Sequence, residues 1–316
     1  MKRNTYKKIA SFILAFTVMI SCFPHAKAES ISLQTYLETV REIDSNFLKE
    51  ETIDSVSVSY LVTPWGEGQL VDFLRDEKTV AYAIFVAGTL LEFAESESPY
   101  ASMDRKNGEC RYYDFANYAI IDNVEANKRL NNPDQRTLVK KENPSKGNWT
   151  DPEEKLLSGV SPQLQNGSNC IVAALSNVIW YWKGHGHSSL ASGMTFANVK
   201  TAVNTLFGGN YANNRVLAVA NQYGSLHGNK HFTGGALWGA SVSAVYSEIN
   251  AGYPCMVGFA AGSYYSSSVG HMTMCVGYYY DGDSTWYVRL ADGWSSSVVT
   301  RLWTSYNDCV IKLRID

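Results

Sequence analysis

The chain has 316 residues, of which 45% are hydrophobic and 18% charged, and its formal net charge is −3. These values exclude a disordered polyanion, a collagen-like repeat and a basic nucleic-acid-binding protein. The charges are divided unevenly. Residues 1–28 have 5 basic and no acidic side chains, residues 29–160 have 14 basic and 24 acidic, and residues 161–316 have 8 basic and 6 acidic. We therefore expect segments with different roles.

The first 28 residues have the layout of a secretory signal peptide. A basic start precedes an apolar run over residues 9–23, and Ala26-Lys27-Ala28 forms a small-x-small cleavage site before Glu29. The apolar run is shorter than the roughly 20 residues that a membrane-spanning helix needs. We predict a secreted protein without a membrane span. Lipid attachment at Cys22, which would hold the protein at the cell surface, is the weaker alternative.

The acidic segment, residues 29–125, is predicted to be a small α+β domain. Residues 32–51 have apolar side chains at helical spacing, and β-strands are indicated over residues 55–62, 79–86, 90–94 and 112–121. Residues 126–160 contain several Asn and Pro residues and few apolar ones. This composition is typical of an exposed linker that proteases cleave easily.

The low-charge segment, residues 161–316, has helical patterns first and strand patterns afterwards. The strongest helix, residues 171–182, has an apolar stripe, a start capped by Asn169 or Ser168, and an end at Gly184. The other predicted helices cover residues 196–207, 216–223 and 239–250, and the predicted strands cover 255–259, 271–279, 285–290 and 310–315. This order indicates an α+β domain in which helices and strands are segregated.

Cys170 is the candidate nucleophile. The chain has six cysteines with no CxxC spacing, which argues against a disulfide scaffold and against a zinc ribbon. Cys170 lies in the first turn of the strongest helix, where unpaired N–H groups and the helix dipole favour a thiolate. The alternative role is that of a small buried apolar residue.

His271 is the candidate base, because it follows Gly270 and begins a predicted strand. The next strand returns antiparallel and brings Asp292 close to His271, where it can orient the imidazole. The remaining histidines of the mature chain are expected to be solvated loop residues, and they are His185, His187, His227 and His231. Since His185 and His187 have no carboxylate or cysteine nearby, we expect no metal and no cofactor.

Four stretches in this order resemble the papain-like (clan CA) cysteine peptidases, in particular the secreted bacterial branch near streptopain and the bacteriocin-processing peptidases. They cover residues 165–170 with the following helix, 248–259, 270–278, and Asp292-Gly293-Trp294. The Cys-Gly-Ser-Cys-Trp signature of papain is absent, so the relationship is distant. The resemblance implies a two-subdomain fold, with a helical part that carries the catalytic helix and a C-terminal antiparallel sheet.

The resemblance also implies roles for individual residues. Cys170 is the nucleophile, His271 the general base and then acid, and Asp292 the residue that holds the imidazole. A glutamine upstream of the cysteine donates to the oxyanion. The family places it six residues before the cysteine, where this chain has Leu164. Gln165 is preferred over Gln163, and the choice between them stays open.

The sequence thus predicts a secreted cysteine endopeptidase that acts on proteins or peptides. Within residues 29–125, the stretches 80–85 and 91–95 loosely resemble the propeptides of streptopain-like enzymes, which keep the zymogen latent. Cleavage is expected to give a mature start between Asn131 and Ser161. One alternative is a cell-wall amidase or endopeptidase, or a transglutaminase, with the same site. The other is a surface binding module without activity.

Overall fold

The computed structural model describes residues 32–63, 66–98, 100–101, 109–114, 117–121, 152–166, 169–259, 270–282, 285–303 and 307–315. The predicted signal peptide and most of the predicted linker lie outside these residues. The described part is a mixed α+β structure with five α-helices and an extended, almost wholly antiparallel sheet.

The N-terminal region begins with one helix, α1 (Leu33–Arg41), which Ser32 caps by accepting a hydrogen bond from the Thr35 N–H. The helix is shorter than the predicted 32–51. After Arg41 the chain turns back, and the Arg41 guanidinium donates to the carbonyls of Phe47 and Leu48 at 2.9 and 2.7 Å. The sequence pattern predicted a longer helix because Phe47 and Leu48, which follow the turn, are also apolar residues of the core.

Six strands follow in this region. They are β1 (Ser55–Thr63), β2 (Gly66–Arg75), β3 (Lys78–Val86), β4 (Thr89–Ala94), β5 (Glu109–Asp114) and β6 (Asn117–Ile121). Strand β2 was not predicted, because Gly66 and Gly68 weaken a strand pattern. One face of the sheet packs against α1 in a separate apolar cluster that includes Tyr36, Val40 and Phe73.

The C-terminal half contains the other helices and strands. The helices are α2 (Cys170–Gly184), α3 (Phe196–Phe207), α4 (Val216–His227) and α5 (Val242–Asn250). The strands are β7 (Glu153–Leu156), β8 (Phe232–Trp238), β9 (Cys255–Phe259), β10 (His271–Tyr280), β11 (Trp286–Ala291), β12 (Val299–Leu302) and β13 (Asn307–Ile315). All the predicted helices and strands of this half are found, with end points that differ by a few residues, and β8 and β12 are present in addition.

Strand β7 lies in a stretch that was predicted as linker. It pairs antiparallel with β10, so residues 153–156 are part of the C-terminal sheet. At this contact a Cβ on Gly277 would lie 2.5 Å from the Lys155 carbonyl oxygen. The close approach of the two backbones therefore requires glycine at position 277.

The strands of both halves form one sheet. Its order is β6-β5-β1-β2-β3-β4-β12-β11-β10-β9-β13-β8, with β7 added on β10. The two halves join where β4 pairs antiparallel with β12, with Thr300 opposite Phe93 and Arg301 opposite Glu92. A single apolar core continues across this junction and also covers α2, β9 and β10.

Candidate active site

Cys170 is the first residue of α2, and its position follows from the cap before it. The Asn169 side chain accepts a hydrogen bond from the Ile171 N–H at 3.0 Å, which starts the helix at Cys170. The next residues bury an apolar surface, with Val172, Leu175 and Val178 at 0% exposure. Helix α2 packs against β10, so this burial holds Cys170 beside the strand that His271 begins.

The Cys170 thiol is partly buried and lies among main-chain amides. The main-chain N–H groups of Met272, Ile171 and Cys170 itself interact with it and lower its pKa, but burial is the larger effect and raises the pKa overall. The expected thiolate stabilisation at the helix start is thus present, and it is outweighed by loss of solvation. The interaction with Met272 places the sulfur beside the residue that follows His271 in β10.

His271 is buried, and its ring is held by a main-chain acceptor. Its Nε2 lies 3.0 Å from the Asp292 carbonyl oxygen. Because a carbonyl oxygen only accepts, Nε2 carries the proton in this bond, and in the neutral ring the lone pair is on Nδ1. Burial lowers the pKa of His271 to about 3, against a smaller opposing effect of this hydrogen bond. The imidazole is therefore neutral at ordinary pH, and this is the form in which Nδ1 has a lone pair for a proton.

Asp292 follows β11 and contributes in a different way from that expected. The oxygen that orients the imidazole belongs to its main chain, whereas its Oδ1 accepts hydrogen bonds from the N–H groups of Trp294 and Ser295 at 2.9 and 2.8 Å. These bonds fix a turn through Gly293, whose φ of +88° favours glycine. Burial and, to a smaller extent, the nearby Glu92 raise the pKa of the Asp292 carboxyl to about 7, against the opposing effect of these two hydrogen bonds.

Trp294 is a residue of this site to which the sequence analysis gave no role. Its ring stacks on the His271 imidazole, with 3.9 Å between centroids and 16° between planes. One side of Trp294 stays exposed to solvent, with 41% of its surface accessible. The ring therefore covers His271 and its bond to Asp292 on the solvent side. The Asp292-Gly293-Trp294 sequence, which carried part of the family resemblance, was the available signal.

The two glutamines considered for the oxyanion lie in different surroundings. The Gln165 N–H donates to the Gly293 carbonyl at 2.6 Å, and a Cβ on Gly293 would be 3.3 Å from the Gln165 Cβ. The side-chain amide of Gln163 instead donates to the Ser161 carbonyl and hydroxyl. The structure brings Gln165, and not Gln163, against the turn that follows Asp292.

A comparison with protein families finds a match in this half of the chain. The model of the Peptidase_C39 like family matches residues 157–309. These residues form a Peptidase_C39-like domain. The domain belongs to the papain-like cysteine peptidase superfamily and contains Cys170, His271 and Asp292. A search of curated proteins gives no match for the chain. Family membership suggests cysteine peptidase activity.

Of the other histidines of the C39-like domain, which were expected to be solvated, His231 is exposed, whereas His185, His187 and His227 are partly buried against neighbouring rings. His185 stacks on Tyr181, and its ring nitrogens lie 2.7 and 2.9 Å from the carbonyls of Tyr181 and Ser158. His187 packs on Trp182, and His227 packs on Tyr223 at the end of α4, beyond the predicted helix. Among the described residues no three His, Cys, Asp or Glu side chains form a cluster that could hold a metal ion.

Proposed function

We propose that the chain is a cysteine endopeptidase in which Cys170 attacks the peptide carbonyl and His271 transfers the protons. The observation that carries the proposal is the 3.0 Å contact between His271 Nε2 and the Asp292 carbonyl oxygen. Because a carbonyl oxygen only accepts, Nε2 donates in this contact, and Nδ1 is the basic nitrogen of the neutral ring. Cys170 lies against Met272, the next residue of the same strand. The nucleophile and its base are thus placed at the start of α2 and at the start of the strand against which α2 packs.

The chemistry follows from these positions. Nδ1 of His271 takes the thiol proton while Sγ bonds to the carbonyl carbon, and the oxyanion accepts hydrogen bonds from the Cys170 N–H and the Gln165 side-chain amide. The imidazolium then protonates the leaving amine as the C–N bond breaks. A water molecule gives a proton to Nδ1, attacks the thioester, and releases the carboxylic acid and the thiol. Trp294 limits the access of water to the imidazole during these steps.

The N-terminal region, residues 29–125, is proposed to be a propeptide that is docked on the C39-like domain. Support comes from the β4–β12 pairing and from a buried ion pair, in which Arg301 Nη1 lies 3.2 Å from Glu92 Oε2 and both side chains are 0% exposed. The Tyr287 hydroxyl also donates to the Leu90 carbonyl at 3.1 Å. Strand pairing together with a buried ion pair is the kind of contact expected of a propeptide that folds together with its enzyme.

Export by the signal peptide is part of the same proposal, and the linker is its processing site. Because β7 pairs with β10, cleavage beyond Glu153 would cut into a strand of the C-terminal sheet. We therefore expect the mature chain to begin between Asn131 and Glu153, within the wider range that the sequence predicts. Among the described residues no helix is long and apolar enough to cross a membrane.

Substrate hydrolysis tests the catalytic proposal against its alternatives. Purified wild type and Cys170→Ala are each incubated with casein, with peptidoglycan, and with casein plus a labelled amine. We expect cleavage of casein by the wild type only. Cleavage of peptidoglycan alone would identify a cell-wall enzyme, and amine incorporation a transglutaminase. If the wild type is folded and none of its activities is lost in Cys170→Ala, the binding module is favoured.

N-terminal sequencing of protein from the culture medium tests the zymogen proposal. The wild type should begin between Asn131 and Glu153, while Cys170→Ala should retain the N-terminal region if the enzyme processes itself. Fully active protein that begins at Glu29 would refute the need for processing.

A further inference from the structure

The chain segment that carries Gln165 is attached to the helical part of the domain at several points. Asn177 of α2, which is 2% exposed, accepts from the Gln163 N–H at 2.9 Å and donates to the Gln163 carbonyl at 3.1 Å. Its amide also donates to the Ala173 carbonyl at 3.0 Å. Asn177 thereby ties the segment to the same helix that begins with Cys170.

Gln165 itself is held on both sides of its backbone. Its N–H donates to the Gly293 carbonyl at 2.6 Å, and its carbonyl accepts a hydrogen bond from Lys200 Nζ at 2.5 Å. Lys200 belongs to α3, which packs against α2. The lysine is partly buried, and this burial lowers its pKa. A bond from an ammonium group is stronger than one between neutral partners.

We infer that Lys200 is a positioning residue for the oxyanion: by fixing the Gln165 carbonyl, it fixes the direction in which the Gln165 side chain leaves the backbone. The inference rests on the proposed function, in which the Gln165 amide donates to the oxyanion. It adds a residue from a third element, α3, that acts through Gln165 without contact with the substrate. A small displacement of such a donor is costly, because oxyanion stabilisation depends on distances fixed in advance.

Kinetics of Lys200→Met test the inference. We expect kcat for a peptide substrate to fall about tenfold to hundredfold with KM changed less than about twofold, because the interaction strengthens in the transition state. Lys200→Arg should recover part of the activity, since its guanidinium can donate to the same carbonyl. Lys183→Met is the matched control. It removes a lysine of the same helical part, which lies over the Trp180 ring at 3.7 Å, and it should leave kcat unchanged.

Alkylation of Cys170 by iodoacetamide separates positioning from general damage. Alkylation forms no oxyanion, so its rate in Lys200→Met should match that of the wild type while hydrolysis is impaired. Equal losses in both reactions would show a disturbed site and would overturn the inference.

A double-mutant cycle shows whether Lys200 acts through Gln165. Adding Lys200→Met to Gln165→Ala should cause no further loss of kcat. A full additional loss, or a wild-type kcat in the single Lys200→Met variant, would overturn the inference. A wild-type protein that neither hydrolyses peptides nor is alkylated at Cys170 would instead refute the proposed function, so the two failures are distinguishable.

Discussion

Asp292 serves the site with two different groups. Its main-chain oxygen orients His271, and its carboxyl accepts the two N–H bonds that shape the turn under Trp294. The length of the hairpin predicts that Asp292 lies near His271. It does not predict which Asp292 oxygen faces the imidazole, because the turn through Gly293 determines that orientation.

Replacing Asp292 by Asn should stabilise the protein at neutral to alkaline pH. Because the pKa of the buried carboxyl is raised to about 7, the folded protein keeps a proton that the unfolded chain releases above about pH 4. The free energy of unfolding therefore falls by up to about 4 kcal/mol as the pH rises from about 4 to about 7. Asn keeps the oxygen acceptor and does not ionise. Urea unfolding of both proteins at about pH 4 and pH 8 measures the difference.

The two proteins should have similar stability at about pH 4, and Asp292→Asn should be the more stable at about pH 8. Activity should fall less than about tenfold, because the bond to His271 comes from the main chain. A loss near the 10⁴-fold typical of a triad carboxylate would contradict this assignment.

The rate of Cys170 alkylation should depend on pH as for a neutral thiol. Burial raises the pKa of Cys170 and lowers that of His271 to about 3, so both groups are uncharged at neutral pH. The rate constant with iodoacetamide should therefore keep rising above about pH 8, with no plateau at acidic pH. A plateau that extends down to about pH 5 would indicate a thiolate–imidazolium pair.

Removal of the Trp294 ring should expose His271 to water. The pKa of His271 would then rise from about 3 toward its ordinary value near 6.5, and kcat/KM of Trp294→Ala should fall on the acidic side below about pH 6.5. The matched control is Trp238→Ala, since Trp238 is 62% exposed at the end of β8. Identical pH profiles for Trp294→Ala and the wild type would contradict the shielding role.

At the scale of elements, the junction of β4 with β12 contains an ion pair whose two side chains are fully buried. Glu92 accepts a hydrogen bond from the Tyr82 hydroxyl at 2.7 Å and pairs with Arg301, and Arg301 also lies over the Phe259 ring at 5.4 Å. The three polar side chains come from β3, β4 and β12. Burial of such a pair specifies one alignment of the strands, because any other alignment leaves a charge without its partner.

Glu92→Gln should weaken this junction strongly. Neutralising one partner leaves the Arg301 charge buried, which typically costs about 3–5 kcal/mol of unfolding free energy. Glu67→Gln, an exposed position on β2, serves as the control and should change the unfolding free energy by less than about 0.5 kcal/mol. Urea unfolding of the uncleaved Cys170→Ala protein measures both. A loss below about 1 kcal/mol for Glu92→Gln would show that the ion pair is not what aligns the strands.

The elements differ in how well the sequence predicts them. Helix α2 was placed almost to the residue, because its apolar stripe and its Asn169 cap agree. Strand β8 was not predicted, because Gly234 and Gly235 interrupt its strand pattern. A Cβ on Gly234 would lie 2.2 Å from the Lys312 carbonyl oxygen of β13. Glycine usually argues against a strand in a sequence pattern, but at position 234 it allows the two strands to approach closely. Strand β7 was missed because only four residues pair.

At the scale of the whole molecule, one sheet extends through both halves of the chain. The uneven charge distribution indicated an N-terminal region distinct from the C39-like domain, but it contained no information on a shared sheet. That feature depends on pairing between β4 and β12, whose residues are about 200 positions apart in sequence. Local patterns do not report such pairing. The positions of Cys170 and His271 were predictable, because each lies at the start of a strongly patterned element.

The most direct test of the account is the site and effect of labelling by a thiol-reactive epoxide. Peptide mass spectrometry should find the label on Cys170 and not on the buried Cys110, Cys255, Cys275 or Cys309, and hydrolysis of casein should fall in proportion to labelling. His271→Ala should react much more slowly, since the base is gone. Full retention of casein hydrolysis after complete labelling of Cys170 would contradict the central claim that this thiol is the nucleophile.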